Sequence, residues 1–178
     1  MFELENAENL AIFYANKHDF ISPISQVKFF QLNIPDEEFE LYVRETEEPL
    51  CELAELELLK HKKATNLVLS YIENHQLSDS GLFEVLKLND AYKIMETYIK
   101  YGWKISDSVQ MKLLDLKQHV RLFELYAKKE ISPSIPSICK EAIFKLLDSE
   151  KGTLFLKKHY GNMLYQYPEI KAKLIAIA

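Results

Sequence analysis

The sequence contains little of what builds tight turns and cross-links. Among 178 residues there are four glycines, six prolines, one tryptophan and two cysteines. So few glycines and prolines favour helices joined by short turns over a sheet-rich fold. Cys51 and Cys139 stand far apart in apolar segments of helical pattern. We therefore expect reduced thiols inside core helices and no disulfide framework.

Long apolar segments are also absent. No stretch of the sequence approaches the roughly 20 apolar residues that a membrane-spanning helix requires. The first ten residues, MFELENAENL, lack the basic and apolar regions of a secretory signal. These features predict a soluble, cytoplasmic protein without membrane attachment.

Common motifs of catalysis and metal binding are missing as well. The five histidines form no His-Glu-x-x-His pattern, and neither cysteine has a second cysteine within four residues. The four glycines form neither a phosphate-binding loop nor a Gly-x-Ser-x-Gly motif. We therefore predict no catalytic residue, no cofactor and no metal. His18, His75 and His159 lie at hairpin ends or in last turns of predicted helices, where a histidine can bind helix-terminal carbonyl groups, and we expect them to be structural or solvated.

What the sequence does contain is a tyrosine that recurs every 27 to 29 residues. The five positions are Tyr14, Tyr42, Tyr71, Tyr98 and Tyr126. The residues four before, three before and one after each tyrosine are apolar in all but one of fifteen cases, and the residue two after is always polar. Such columns are typical of an amphipathic helix that buries its tyrosine face, and we expect each hydroxyl at the rim of the core.

A helix start signal follows each tyrosine after six to eight residues. The signals are Ser22-Pro23, Glu48-Pro49, Ser78-Asp79, Ser106-Asp107 and Ser132-Pro133. Serine caps a helix by accepting a hydrogen bond from a free backbone N–H, and proline suits the first helical position. Each period therefore predicts a helical hairpin, at about residues 7–34, 36–60, 64–88, 90–117, 118–148 and, less regularly, 153–177. Gly102 is expected to close one helix in the left-handed conformation.

With this motif, Tyr-Ile followed by Ile-Ser-Asp/Pro-Ser and an apolar helix, the chain resembles the α-hairpin solenoids of the HEAT and tetratricopeptide kind over residues 7–177. It is also similar to short helical repeats of bacterial proteins. A single hairpin cannot bury its apolar face alone, so neighbouring hairpins stack. The resemblance implies an all-α, right-handed solenoid that forms one domain over residues 1–178, with the first and last hairpins as caps.

Charge is distributed unevenly along the chain, whose net charge is −5. Residues 1–60 hold 14 Asp and Glu against 4 Lys and Arg, whereas residues 61–178 hold 13 against 18. The acid is densest over residues 36–57, where ten carboxylates accompany one arginine. The two ends of the chain therefore carry opposite charge.

One predicted helix gives the sharpest surface signal. Glu48, Glu52 and Glu55 follow the i, i+4, i+7 spacing of one helix face, and Glu45 and Glu47 lie at the adjoining turn. Two interpretations remain open. The face could simply aid solubility, or it could bind a basic protein, as an inhibitor or immunity protein binds a toxin or effector.

Other surfaces suggest other partners. Tyr101 and Trp103 flank Gly102 at a hairpin tip, where exposed rings would suit a protein contact. Basic segments at residues 61–63, 128–129 and 157–159 leave a helical-repeat nucleic-acid-binding protein or enzyme as an alternative, although the acidic segment would repel phosphate. The opposite charge of the ends leaves head-to-tail self-assembly open. The predicted function is a non-enzymatic protein–protein interaction module.

Overall fold

A computed structural model describes residues 21–129, 138–164 and 167–177 of the chain. These ranges contain eleven helices and no strand, which confirms the all-α prediction. The helices are α1 (Pro23–Phe30), α2 (Asp36–Glu45), α3 (Glu52–Lys60), α4 (Ala64–Tyr71), α5 (Asp79–Val85), α6 (Ala91–Lys100), α7 (Asp107–Leu113), α8 (His119–Lys129), α9 (Lys140–Leu146), α10 (Glu150–Leu164) and α11 (Pro168–Ile177). The first predicted helix, with Tyr14 and His18, and the signal Ser132-Pro133 lie outside the described residues.

Three of the predicted serine caps are confirmed. Ser22, Ser78 and Ser106 precede α1, α5 and α7, and each hydroxyl accepts a hydrogen bond from the backbone N–H three residues further on, at 3.4, 3.1 and 3.4 Å. Such a cap stabilises a helix by about 1 kcal/mol. These three helices have only seven or eight residues, and each begins directly after its capping serine.

The start predicted at Glu48-Pro49 is wrong, because α3 begins at Glu52. The buried Leu50 donates its backbone N–H to the hydroxyl of Tyr71 at 3.0 Å. This bond joins the segment before Glu52 to the end of α4. Cys51 therefore precedes α3, as Cys139 precedes α9. Both thiols are free as expected, but they stand at helix starts and not inside helices.

The chain divides into two compact units, Met1–Thr97 and Tyr98–Ala178, with the boundary inside α6. In the first unit α1 packs on α3 and α3 on α5, while α2 packs on α4. In the second unit α7 packs on α9, and α8 on α10. Helices that are next but one in sequence thus lie side by side within each unit. The continuous right-handed solenoid over residues 1–178 stays a prediction.

Aromatic rings fill the beginning of the first unit's core. The buried Phe29 meets Phe30 and Phe39 edge-on, with ring centroids 5.4 and 5.3 Å apart, and lies 4.6 Å from Tyr42. Burying each such side chain contributes about 1.5–3 kcal/mol, and aromatic pairing adds about 1 kcal/mol. This cluster joins α1 to α2.

The prediction that the repeated tyrosine hydroxyls lie at the core rim is wrong for Tyr42, Tyr71 and Tyr98, whose side chains are buried. Two of the hydroxyls bind backbone: Tyr98 donates to the Lys104 carbonyl at 3.4 Å, and Tyr71 accepts the Leu50 N–H described above. Burial raises the pKa of Tyr42 to about 12. A buried polar group needs a partner, and main-chain groups at the hairpin joints supply it.

Gly102 ends α6 in the left-handed conformation, as predicted. Its φ is +84°, and its N–H donates to the carbonyl of Ile99 at 2.9 Å. Glycine adopts this conformation without the steric cost that a Cβ would add. The chain can therefore turn sharply between α6 and α7.

Candidate functional site

Four exposed glutamates form one acidic surface in the first unit, here called the acidic face: Glu45, Glu47, Glu48 and Glu52. Glu45 accepts from the neighbouring Arg44 at 2.7 Å. Within the part of the chain that the structure describes, the carboxylates of the other three make no ion pair. Leu53 stands beside them with 64% of its surface exposed. The acidic face therefore combines unneutralised charge with an exposed apolar side chain.

The prediction that Glu55 shares this face is wrong, because only 3% of its surface is exposed. The predicted i, i+4, i+7 spacing assumed one helix through Glu48, but α3 begins at Glu52. Glu55 instead accepts hydrogen bonds from the backbone N–H of Ser78 at 3.0 Å, from the Ser78 hydroxyl, and from Tyr71 at 3.4 Å. It joins α3 to the start of α5.

Two glutamines make the same connection elsewhere. The buried Gln26 accepts from the backbone N–H of Cys51 at 2.8 Å, and the buried Gln110 accepts from that of Cys139 at 2.7 Å. Like Glu55, each is the fourth residue of its helix and binds the residue that precedes the next helix of the same layer. Leu82, the fourth residue of α5, has no hydrogen-bonding side chain. A glutamine or glutamate at the fourth position of a helix is the sequence signal that could have predicted these connections.

The environment of Glu55 shifts its titration. Burial raises the pKa of its carboxyl, the hydrogen bonds from Ser78 and Tyr71 oppose that rise, and the nearby Glu52 adds to it. The packing is tight, since a Cβ added at Gly81 would lie 2.8 Å from Glu55 Oε2. Glu55 is thus a structural joint with a raised pKa, and it does not belong to the exposed surface.

The beginning of the acidic segment is neutralised within the chain. Asp36 Oδ2 lies 3.2 Å from Lys62 Nζ and 3.3 Å from Lys63 Nζ, while Lys63 also reaches Glu40 at 3.4 Å. Burial would raise the pKa of Asp36, but the hydrogen bonds from both lysines outweigh it and hold that pKa below its usual value. The basic segment at residues 61–63 therefore contacts the chain's own acid.

The histidine predictions have mixed outcomes. His75 Nε2 lies 2.9 Å from the carbonyl of Thr46, directly after α2, which confirms a helix-terminal role. His159 was expected at a helix end, but α10 continues to Leu164. The His159 ring packs on the Phe155 ring, with centroids 5.2 Å apart. No group of three or more potential ligands among the described residues could hold a metal ion.

The predicted aromatic contact is only partly exposed. Tyr101 is 48% exposed, whereas Trp103 is half-buried. Gly102 turns the chain between them, so the two rings do not share one environment. Tyr101 alone remains as an exposed ring at this hairpin tip.

A groove of about 670 Å³ in the second unit was not predicted. Residues around the start of α8 and along α10 line it, including four basic side chains: Lys117, Arg121, Lys151 and Lys158. We call it the basic groove. Val120, Leu154 and Phe155 give it apolar walls. The lining comes from segments distant in sequence, and only Lys158 belongs to a predicted basic segment.

Comparison with protein-family models, with curated proteins and with solved structures finds no match. None of the helices in the described ranges is long and apolar enough to cross a membrane.

Proposed function

We propose that the chain is a non-enzymatic, cytoplasmic interaction module whose acidic face binds a basic surface of another protein. One observation carries this proposal: Glu47, Glu48 and Glu52 are exposed near the exposed Leu53 and form no ion pair with any residue that the structure describes. Neighbouring like charges repel and cost stability, which a basic partner would relieve. An exposed leucine adds the apolar contact that protein interfaces contain at their core. An inhibitor that masks a basic effector is one specific form of this proposal.

The hairpin architecture supports this role. Within each unit the equivalent bonds of Gln26, Glu55 and Gln110 join helices that are next but one in sequence, as stacked hairpins of the HEAT or tetratricopeptide kind would require. A stack of this kind presents an extended surface without needing a catalytic pocket. The buried Gln26, Glu55 and Gln110 would then hold the hairpins together, and the exposed residues of the acidic face would bind the partner.

The test compares proteins captured from the source cell's lysate by wild type and by Glu48→Lys/Glu52→Lys. A basic partner should bind wild type at about 0.05 M salt and dissociate at about 0.5 M, where screening shortens the range of charge interactions. The double variant should lose that partner, with at least about a tenfold weaker affinity for reversed close charges.

The matched control is Glu73→Lys/Glu141→Lys, which makes the same charge change at two exposed positions outside the acidic face. Glu141, like Glu52, lies in the first turn of a helix, so both variants place a lysine at a helix start. The control should keep the partner. Equal loss in both variants would mean that net charge alone matters, and the proposal would fail.

Nucleic-acid binding is a second candidate, favoured by the basic groove with Lys117, Arg121, Lys151 and Lys158. Anisotropy of labelled single- and double-stranded oligonucleotides tests it. Binding through the groove should weaken steeply with salt and be lost in Lys151→Glu/Lys158→Glu. No binding at about 0.05 M salt would reject this candidate.

A further inference from the structure

We propose that the acidic face of one copy binds the basic groove of another, so that the partner of the acidic face is a second copy of this chain. This inference rests on the proposed function of the acidic face and names its partner. The two surfaces lie in different compact units, the face in the first and the groove in the second.

The chemistry of the groove defines its occupant. Within the described residues Lys117, Lys151 and Lys158 make no ion pair, so they are available to carboxylates. Lys151 and Lys158 lie seven residues apart on α10, which places them on one side of the helix with Leu154 between them. Leu154 is 60% exposed. The groove therefore offers cations around an exposed leucine.

The acidic face has the same composition with the opposite charge. Leu53 is 64% exposed and directly follows the exposed Glu52 at the start of α3, with the exposed Glu48 four residues before Glu52. Contact between Leu53 and the walls of the groove would bury both exposed leucines, at about 25 cal/mol per Å² of apolar area removed from water. Carboxylates around one leucine would then meet ammonium groups around the other. Such complementarity steers association and sets its register.

The groove suits a protein better than a phosphate backbone. Glu124 and Glu150 also line it and repel phosphate and carboxylate alike, so the apolar walls decide between the two occupants. The apolar walls offer a place for a leucine side chain but nothing specific to phosphate or sugar. A protein segment with alternating acid and leucine matches this lining more closely.

The contact is heterologous, because it joins two different surfaces. Each copy that binds through its acidic face keeps a free groove, so association continues with concentration unless a ring closes. This predicts a mass that rises with concentration and falls with salt.

Sedimentation velocity of the full chain tests the proposal with two variants, Glu48→Lys/Glu52→Lys and Lys151→Glu/Lys158→Glu. At about 0.05 M salt, wild type should associate reversibly, and each variant alone should be shifted to at least about tenfold weaker association. An equimolar mixture of the two variants should associate again, because the glutamates of one then face the lysines of the other. Circular dichroism establishes that both variants are folded.

Glu73→Lys/Glu141→Lys serves as the control and should associate as wild type does. A mass that is independent of concentration in wild type, or a mixture that stays monomeric, overturns the proposal. These results leave the proposed function intact if the lysate experiment still finds a partner that only Glu48→Lys/Glu52→Lys loses. The two failures are therefore distinguishable.

Discussion

At the scale of single residues, the buried Glu55 carboxylate makes the same kind of hydrogen bond as the side-chain amides of Gln26 and Gln110. Gln26 and Gln110 accept a backbone N–H from the residue that precedes a neighbouring helix, and Glu55 accepts the corresponding N–H of Ser78. The glutamines do this without charge, whereas the glutamate places a carboxylate where burial raises its pKa. The neutral side chain is therefore the better fit to this position at neutral pH.

We expect Glu55→Gln to have equal or greater stability than wild type at pH 7, by up to about 1 kcal/mol, because the amide removes the cost of a buried charge. The pKa of Glu55 is raised in the folded protein, so its contribution to stability is complete below the unfolded value of about 4.5 and is lost as pH rises through the folded pKa. The difference in the free energy of unfolding between Glu55→Gln and wild type should therefore shrink toward pH 4.5. Urea unfolding across this range measures it, and a clearly less stable variant at pH 7 would show that the carboxylate's hydrogen bonds dominate.

Gln110 provides a second test at this scale. Its side chain accepts from Cys139 and donates to the carbonyl of Ile105 at 3.0 Å. Gln110→Leu should lower the free energy of unfolding by about 1–3 kcal/mol, because two buried main-chain groups lose their partner. The exposed Gln31 is the control, and Gln31→Leu should change stability by less than about 0.5 kcal/mol. Equal effects in chemical denaturation would mean that the Gln110 bonds contribute little.

At the scale of elements, local sequence predicted helices well and predicted their starts only where local chemistry decides them. Ser78 and Ser106 cap helices through bonds three residues away, so their spacing alone was sufficient. Directly before α3, by contrast, the Leu50 N–H binds Tyr71, which lies 21 residues away in sequence. A hydrogen bond between residues so far apart in sequence cannot be predicted from a local sequence pattern. The burial of Glu55 depends likewise on a distant contact, with Ser78 at the start of α5.

A pair of glycines separates backbone conformation from packing. An added Cβ would meet nothing within 4 Å at either Gly102 or Gly161, but only Gly102 has a positive φ. Gly102→Ala should destabilise the protein by about 1 kcal/mol. Gly161→Ala, inside α10, should stabilise it by about 0.5–1 kcal/mol, because alanine favours helix. Thermal unfolding measures both, and shifts of the same sign would contradict this explanation.

At the scale of the whole molecule, the charge asymmetry was visible in the sequence but its surfaces were not. Asp36 and Glu40 bind lysines of the turn between α3 and α4. Among the described residues of this segment, Glu37, Glu47, Glu48 and Glu52 are exposed and make no ion pair. The basic groove combines residues around the start of α8 with residues of α10. Packing of helices next but one in sequence brings these segments together, and charge counts along the chain do not reveal it.

The most direct measurement of the central claim is zero-length cross-linking of carboxylates to lysines in lysate, followed by mass spectrometry. If the acidic face recognises a basic protein, intermolecular cross-links should concentrate at Glu47, Glu48 and Glu52, and their lysine partners should identify the bound surface. The exposed Glu73 and Glu141 should yield few. Cross-links spread evenly over exposed carboxylates, or none at the acidic face, would contradict its role in recognition.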